Sequence, residues 1–228
     1  MKENGKKCSL AGIVLLILFG IWTYLIQRID VQPVGVNESD VGFAAINTWF
    51  HNLTGVHMWI YTVTDWLGLV PIFICMIFAG LGVVQLIKRR SILKVDTDIL
   101  ILGVYYILVI FGYLIFEMIP INYRPILIDG FMEASYPSST TLLVLSVMPT
   151  LTFQVNRRMP GGISRQIIKI LAYAFALLMV LGRLVAGVHW LTDIVGAMLL
   201  SLGLYFVYIG LVLLADSCQV KDQIILYK

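Results

Sequence analysis

The sequence predicts an all-α integral membrane protein, a bundle of six transmembrane helices with a short helix on the outer membrane surface. Of the 228 residues, 60% are hydrophobic and 13% are charged, and the mean hydropathy is +0.92. Soluble domains contain about 45–50% apolar residues, so this composition excludes an ordinary soluble domain. Six apolar stretches are long enough to cross a hydrocarbon core of about 30 Å as helices of about 20 residues. They lie near residues 10–27, 66–87, 99–118, 138–155, 167–186 and 189–214.

The first span, residues 10–27, is predicted to be an uncleaved anchor helix. Lys2, Lys6 and Lys7 precede it as in a signal sequence, but no small-residue cleavage pattern follows the apolar stretch. A hydrophobic run of this length is more typical of a membrane anchor than of a signal peptide. With six spans, both termini are then expected in the cytoplasm.

The outer segment, residues 28–65, is predicted to contain the surface helix. Its apolar residues recur at helical spacing and include tryptophan, which suits the membrane interface. They are Phe43, Ile46, Trp49, Phe50 and Leu53. This segment either contributes to a site or only caps the bundle. A core of residues 66–214 and a cytoplasmic tail of residues 215–228 complete a single membrane domain.

The positions of the basic residues predict the orientation in the membrane. Thirteen of the 16 lysines and arginines fall in segments assigned to the cytoplasm, as the positive-inside rule requires. Because these residues lie in short loops between spans, the net charge of +3 implies no nucleic-acid partner. The other three, Arg28, Arg124 and Arg183, fall outside those segments. Charges that depart from the bias mark a functional site, here on the extracytoplasmic side.

His189 and Asp193 stand at the start of the last span, four residues apart. On a helix they share a face, so the carboxylate can accept the proton of one ring nitrogen and leave the other free to attack an electrophile or bind a metal. The alternative is a polar pair that only holds helices together. Arg183 precedes them, with Gly187 as a break between two helices, and its planar fork of donors matches phosphate oxygens. The alternative for Arg183 alone is an anchor that reaches the membrane interface.

Two further pieces fall on the same predicted side. Arg124-Pro125 follows the third span, and residues 136–141 form a turn of small hydroxyl residues that leads into an apolar helix. Ser138 or Ser139 can cap that helix, whose first free N–H groups form a natural cradle for an anion. The turn is also compatible with a capping role alone.

Together these residues predict a phosphate site with a nucleophile and neither a metal nor another cofactor. The three histidines, His51, His57 and His189, show no HxxxH spacing, and the cysteines show no CxxC spacing that would gather metal ligands.

The three pieces resemble the signatures of the type 2 phosphatidic acid phosphatase family, six-helix lipid phosphatases whose superfamily includes the vanadium haloperoxidases. The family pattern is Lys, six residues, Arg-Pro; then Pro-Ser-Gly-His; then Ser-Arg, five residues, His, three residues, Asp. The matching residues here are Glu117 with Arg124-Pro125, then Pro137-Ser138-Ser139-Thr140, then Gly182-Arg183 with His189 and Asp193.

The resemblance implies a phosphohistidine mechanism. His189 would attack phosphorus and Asp193 would orient it. The oxygens of the transferred group would be held by a phosphate-binding set: Arg124, Arg183 and the hydroxyl and N–H groups of Ser138, Ser139 and Thr140. Water would then release phosphate, and the substrate would enter sideways from the bilayer.

Two departures remove working parts of that pattern: Glu117 stands where the family has lysine, and Thr140 stands where it has the histidine that protonates the leaving group. Three explanations follow. The substrate can be a lipid diphosphate, such as an isoprenoid one, whose leaving phosphate has a second pKa of about 6 and needs little protonation. Glu117 or Glu133 can serve as the acid. The site can also bind without turnover, or transfer a head group to another lipid.

The sequence therefore predicts a lipid phosphate phosphatase of the cell membrane that acts on a phosphomonoester or diphosphate of a membrane lipid. The alternatives are a catalytically inactive protein that binds or transports lipid phosphates, and a head-group phosphotransferase on the same fold.

Overall fold

The computed structural model describes residues 2–226, with side chains described as far as Gln219, and within this range the chain is all-α. Lys228 and the end of the predicted tail lie outside the described residues. The helices are α1 (Lys2–Ile26), α2 (Ala44–Thr54), α3 (Met58–Leu67), α4 (Leu69–Arg89), α5 (Thr97–Met118), α6 (Ser139–Arg158), α7 (Ile163–Val185) and α8 (Leu191–Leu226).

Five helical stretches among the described residues are long and apolar enough to cross a membrane, which makes the chain a multi-pass membrane protein. They are Lys2–Ile26, Met58–Arg89, Thr97–Met118, Ile163–Val185 and Leu191–Gln219. Five of the six predicted spans are therefore confirmed as long apolar helices.

The remaining predicted span, residues 138–155, is helix α6, and its composition sets it apart from the others. Eleven of its 20 residues are buried, and among them are Ser146, Thr150 and Gln154. Two of them are bonded inside the bundle: the Gln154 amide donates to the Tyr208 hydroxyl at 2.6 Å, and the Thr150 hydroxyl to the Val147 carbonyl at 2.8 Å. Because other helices surround α6, its side chains need not be compatible with lipid.

Several helices extend beyond the predicted limits. Helix α1 begins at Lys2 rather than near residue 10, and α8 continues to Leu226 rather than ending near residue 214. The run that contains the second span begins at Met58, inside the outer segment predicted to reach residue 65. Asp65 falls within this run, and its Oδ1 lies 3.8 Å from Arg183 Nη1. The segment predicted to form the surface helix is helical, as α2.

Helices α1 and α8 pack antiparallel. Each contributes two glycines, which stand seven residues apart along the helix, and the glycines of one helix face those of the other. A Cβ atom on Gly12 would lie 2.6 Å from the Val207 nitrogen, and one on Gly210 would lie 2.7 Å from the Ser9 nitrogen. Near the other end of α1, the Trp22 indole donates to the Thr192 carbonyl at 3.2 Å. Small residues let the two backbones approach closely, and the resulting van der Waals packing favours helix association in lipid. Helix α1 is therefore an integral part of the bundle.

Replacement of Gly12 by alanine is expected to destabilise the protein by about 1–3 kcal/mol, because the new methyl group would overlap the α8 backbone. Gly20 is the matched control, since nothing lies within 4 Å of a Cβ atom built there. Gly20→Ala should be neutral or stabilising by up to about 1 kcal/mol from helix propensity. Thermal unfolding of both variants in the same detergent measures the difference, and equal midpoints would refute close α1–α8 packing.

Paired charges hold the end of the bundle opposite to the hydroxyl-rich start of α6. Asp98 is 5% exposed and accepts from Arg157 Nε at 3.0 Å and Arg158 Nη1 at 2.8 Å. Arg157 Nη1 also donates to Asp216 at 2.8 Å, which ties α5, α6 and α8 together. The 20 residues of α6 separate this cluster from Ser139 by about 30 Å of helix. Basic residues assigned to the cytoplasm therefore lie far from His189.

Candidate active site

The connection between α5 and α6, residues 119–138, forms one wall of the site. It folds back on itself as a short antiparallel pair, in which the Arg124 amide donates to the Glu133 carbonyl at 3.1 Å and the Ser135 amide to the Asn122 carbonyl at 2.9 Å. These bonds place Arg124 opposite Glu133, and they fix Ser135 next to the start of α6. The loop thus places two charged side chains and one hydroxyl group next to one another near the start of α6.

The turn between α7 and α8 forms the facing wall. Gly187 has φ +70°, and a Cβ atom there would lie 1.9 Å from the Gly55 carbonyl oxygen, so only glycine fits. The His57 amide donates to the Ala186 carbonyl at 3.0 Å and fastens the turn to the start of α3. This break, predicted from the sequence, brings Arg183 in the last turn of α7 next to His189. Arg183 Nη2 lies 3.5 Å from His189 Nε2.

Asp193 supports the site in a different way from the predicted one. His189 precedes α8, which begins at Leu191, so the two residues do not share a helix face, and His189 Nδ1 lies 3.8 Å from Asp193 Oδ2. The fully buried carboxylate instead accepts from the Trp190 amide at 2.8 Å, the Ser135 hydroxyl and the Asn122 amide at 3.4 Å. It caps the start of α8 and fixes the 119–138 connection against it.

The hydrogen bonds of His189 define its protonation state. Nδ1 lies 3.1 Å from the Ser135 carbonyl oxygen, which can only accept, so Nδ1 carries the proton and Nε2 the lone pair. Burial, followed by the nearby Arg124 and Arg183, lowers the pKa of His189 well below its ordinary value of 6.5. The ring is therefore neutral at pH 7, with its nucleophilic nitrogen facing Arg183.

The two arginines meet on the ring of Tyr61, which comes from α3. The Arg183 Cζ lies 4.8 Å and the Arg124 Cζ 5.6 Å from the ring centroid, so one aromatic ring orients both guanidinium groups. Arg183 is 1% and Arg124 8% exposed. Among the described residues, Nε and Nη1 of Arg124 and Nε of Arg183 have no hydrogen-bond partner. Glu133 Oε2 lies 3.0 Å from Arg124 Nε without the alignment of a hydrogen bond.

A polar cavity of about 220 Å³ opens beside His189. Both predicted acids, Glu117 and Glu133, contribute to its wall together with Arg124 and Ser139. Glu117 is exposed and the Glu133 side chain is 40% exposed, so the carboxylates form the accessible side of the cavity and the arginine its buried side. The cavity therefore combines one deep cation with two solvated anions.

Ser138 and Thr140 are placed differently from Ser139. The Ser138 hydroxyl donates to the Thr141 hydroxyl at 3.0 Å, and its amide donates to the Asp193 carbonyl at 3.2 Å, so Ser138 joins α6 to α8. Thr140 contributes to the wall of a neighbouring apolar cleft of about 550 Å³. The first N–H groups of α6 lack intrahelical partners, as at any helix start. Among the three hydroxyl residues, Ser139 alone is part of the wall of the cavity beside His189.

The structure adds site residues that the sequence did not single out. Ser135 contacts both His189 and Asp193, Asn122 holds Asp193 from the other side, and Tyr61 lies under both arginines. Ser135 stands just before the hydroxyl-rich turn, but its position alone carries no signal of this contact. Tyr61 is one aromatic residue among many in its segment, so no local pattern could have identified it.

Comparison with known proteins supplies the family. The model of the PAP2 superfamily matches residues 99–215, which is more than half of the chain and includes all three motif regions. The chain belongs to the PAP2 superfamily. The resemblance predicted from the motifs is thereby confirmed. None of the curated proteins matches this PAP2 chain.

A solved structure shares the fold of this PAP2 protein. It is the first transmembrane PAP2 type phosphatidylglycerolphosphate phosphatase from Bacillus subtilis, with a TM-score of 0.59 and 18% sequence identity. The match covers 88% of this chain and 94% of that chain. With 88% of the chain covered, the likeness extends beyond residues 99–215.

Proposed function

We propose that this protein is a lipid phosphate phosphatase of the membrane that hydrolyses a phosphomonoester or diphosphate of a membrane lipid through a phosphohistidine intermediate. His189 is the nucleophile, and Asp193 fixes the elements that hold it. Arg124 and Arg183 bind the phosphate together with Ser139 and the first N–H groups of α6.

One observation carries this proposal: buried arginine N–H groups without partners lie beside a neutral imidazole. A buried donor that makes no hydrogen bond costs about 1–3 kcal/mol, so such groups call for an anionic partner. The donors without a hydrogen bond belong to Arg124 and Arg183, whose guanidinium groups also lie 3.0 Å from Glu133 and 3.8 Å from Asp65. His189 Nε2, which holds the lone pair, lies 3.5 Å from Arg183 Nη2. A phosphoryl group satisfies both requirements, because its oxygens accept from arginine while its phosphorus accepts the lone pair.

The chemistry follows from this arrangement. His189 Nε2 forms a bond to phosphorus as the bond from phosphorus to the lipid oxygen breaks. The two arginines and the N–H groups at the start of α6 stabilise the charge that develops on the equatorial oxygens. The Ser135 carbonyl, 3.1 Å from Nδ1, stabilises the positive ring that forms. Water then attacks phosphorus, the bond to Nε2 breaks, and phosphate leaves.

The leaving oxygen takes its proton from a group in the cavity, or needs none. Thr140 has no useful pKa and belongs to the wall of the apolar cleft, so it does not replace the missing histidine. Glu117 and Glu133 face the same cavity as His189 and are the candidate acids for a phosphomonoester. A lipid diphosphate, an isoprenoid one included, needs no acid because its leaving group is a phosphate with a second pKa of about 6.

The surroundings of the cavity support a lipid substrate. The apolar cleft beside it is lined by residues of α4, α5 and α6, such as Ile72, Val109 and Leu143. Tyr113 and Ser139 belong to the walls of both spaces, so a head group in the cavity can continue into an apolar chain in the cleft. In the proposed topology α6 also spans the membrane, which makes six spans, both termini are cytoplasmic and the cavity faces the extracytoplasmic side. The clustering of Arg157 and Arg158 at the far end of α6 supports this orientation.

The test is phosphate release from lipid monophosphates and diphosphates by the purified protein in detergent micelles or nanodiscs. Phosphate release is expected, together with an acid-labile phosphorus label on His189 after rapid quenching with alkali. Glu117→Gln then tests whether Glu117 protonates the leaving group or whether the substrate is a diphosphate that needs no acid. If Glu117 donates the proton, monoester turnover should fall by about 10²- to 10⁴-fold while diphosphate turnover is preserved.

Two other outcomes identify the alternative functions. A labelled histidine whose phosphoryl group moves to an added lipid alcohol rather than to water would make the protein a head-group phosphotransferase. Saturable binding of lipid phosphate with no label and no product would make it a lipid-phosphate binding or transport protein. Absence of both binding and turnover would refute the proposed function.

A further inference from the structure

Helix α1 lies outside residues 99–215, which the family model matches, but it contacts the site. Near its C-terminal end, the Thr23 hydroxyl lies 2.7 Å from the hydroxyl of Tyr136, a residue in the wall of the cavity beside His189. The Thr23 hydroxyl donates to the Phe19 carbonyl at 2.9 Å, so it accepts from the Tyr136 hydroxyl. The side chain of a cavity residue is thus bonded to α1.

The ring of Tyr136 is enclosed from three sides, and the residue is 1% exposed. Phe19 of α1 lies parallel to the ring, with the centroids 6.1 Å apart, and Phe116 of α5 meets it edge-on at 5.5 Å. On the third side the ring lies so close to Gly196 of α8 that a Cβ atom there would overlap it. Packing therefore confines the ring between α1, α5 and α8, and the bond to α1 fixes its hydroxyl end.

The backbone of Tyr136 leads directly into the phosphate-binding start of α6. Ser139, the first residue of α6, follows Tyr136 by three residues, and the amide of Ser138 donates to the Asp193 carbonyl at 3.2 Å. A shift of the Tyr136 ring therefore moves the free N–H groups of the first turn of α6 relative to His189. A misplacement of about 1 Å at a reacting centre can cost about 10²-fold in rate.

A second contact of α1 fixes the start of α8. The Trp22 indole donates to the Thr192 carbonyl at 3.2 Å, and the Trp22 ring stacks on Phe43 with the centroids 5.1 Å apart. Thr192 immediately precedes Asp193, which joins α8 to the start of α6. Adjacent residues of α1, Trp22 and Thr23, thus hold the start of α8 and the segment that precedes α6.

We propose that Thr23 and Tyr136 are positioning residues, whose mutual hydrogen bond sets the place of the α6 N–H groups that hold the phosphate. This inference rests on the proposed function, and it assigns a part of the site to a helix outside the family match. Both residues act through the backbone that leads into α6, because the Tyr136 hydroxyl is already bonded to α1.

The experiment compares Tyr136→Phe, Thr23→Val and the double variant in nanodiscs. Phenylalanine keeps the ring packed between α1, α5 and α8 and removes only the hydroxyl. Each single variant is expected to lower kcat/KM by about 10- to 100-fold, chiefly through kcat, because contacts to the equatorial oxygens strengthen in the transition state. The double variant should be no slower than the slower single variant, since both changes break the same bond. Thr23→Ser keeps the hydroxyl and should retain the wild-type rate.

Two controls separate positioning from stability. Gly12→Ala weakens α1–α8 packing about 16 Å before Thr23 along the helix, so it should lower the midpoint of thermal unfolding but not kcat/KM. Tyr24→Phe removes a hydroxyl from a residue of α1 that is 59% exposed and not part of the cavity wall, and it should change neither quantity.

Three results would overturn this inference and leave the proposed function intact. The first is wild-type kcat/KM in Tyr136→Phe. The second is additive losses in the double variant, which would mean that the two hydroxyls act separately. The third is an equal loss in Thr23→Ser and Thr23→Val, which would mean that the Thr23 hydroxyl is not the group that matters.

Binding of inorganic phosphate decides the inference if the wild type hydrolyses no lipid and the proposed function fails. Phosphate is then titrated into the wild type and Tyr136→Phe in nanodiscs. A Kd about fivefold higher in the variant, the effect of losing one hydrogen bond to the anion, would support the inference. Equal Kd values, or no binding of phosphate to the wild type, would overturn it.

Discussion

Replacement of His189 by glutamine is expected to lower the rate of phosphate release by on the order of 10⁴- to 10⁶-fold, since the group that forms the covalent intermediate is lost. His189 is buried, and its Nε2 lies 3.5 Å from Arg183, so no other nucleophile can occupy this position without rebuilding the turn. Glutamine can still donate a hydrogen bond to the Ser135 carbonyl, which preserves the fold of the site. Initial rates and the yield of labelled phosphohistidine measure the loss.

His51→Gln is the matched control for this prediction. His51 lies at the same end of the bundle, with its ring centroid 5.6 Å from that of Trp190, the residue after His189. It is not part of the cavity wall, so the His51 variant should keep wild-type turnover and should form the phosphohistidine. Phosphate affinity should persist in His189→Gln because the arginine donors remain. Equal activity of the two variants would exclude His189 as the nucleophile.

The sequence predicted those parts of the fold that depend on local patterns. The stretch 99–118 matches α5, Thr97–Met118, because a continuous apolar run follows the charged residues Asp96 and Asp98. The helix break at Gly187 was likewise predicted, because glycine between two apolar runs favours a tight turn. The same patterns predict a span at residues 138–155, but they do not reveal the neighbours, such as Tyr208, that bond polar residues of α6.

The sequence predicted which residues form the candidate site but not which hydrogen bonds they make. His189, Arg183 and Arg124 do come together, but the four-residue spacing to Asp193 gave the wrong hydrogen bond, because α8 begins after His189. The partner of the histidine is the Ser135 carbonyl from a segment 54 residues away. A backbone carbonyl has no sequence signature, so this contact could be learned only from the fold.

Arg183→Lys is expected to lower turnover by about 10²- to 10³-fold, the usual effect of removing one donor to the developing charge. Lysine keeps the charge but has neither the planar fork nor the stacking surface that Tyr61 supports at 4.8 Å. Arg28→Lys is the matched control, since Arg28 also lies over a tyrosine ring, Tyr24, at 5.6 Å, but is exposed and not part of the cavity wall. It should have wild-type activity, and an equal loss in both variants would refute a specific role for Arg183.

The pH dependence of kcat/KM distinguishes the effect of the charge of Arg183 from the effect of its geometry. Neutral His189 is the nucleophile, so kcat/KM rises as pH increases through its pKa, and this acid limb should lie below pH 6.5 in the wild type. Burial is the larger cause of the lowered pKa, and Arg124 and Arg183 add to it. Arg183→Gln removes one cation, which raises the pKa of His189 and moves the limb to higher pH. Arg183→Lys keeps the cation, so the acid limb of its pH profile should stay in place while the plateau of kcat/KM falls. An acid limb that moved equally in both variants would show that Arg183 acts through packing and not through its charge.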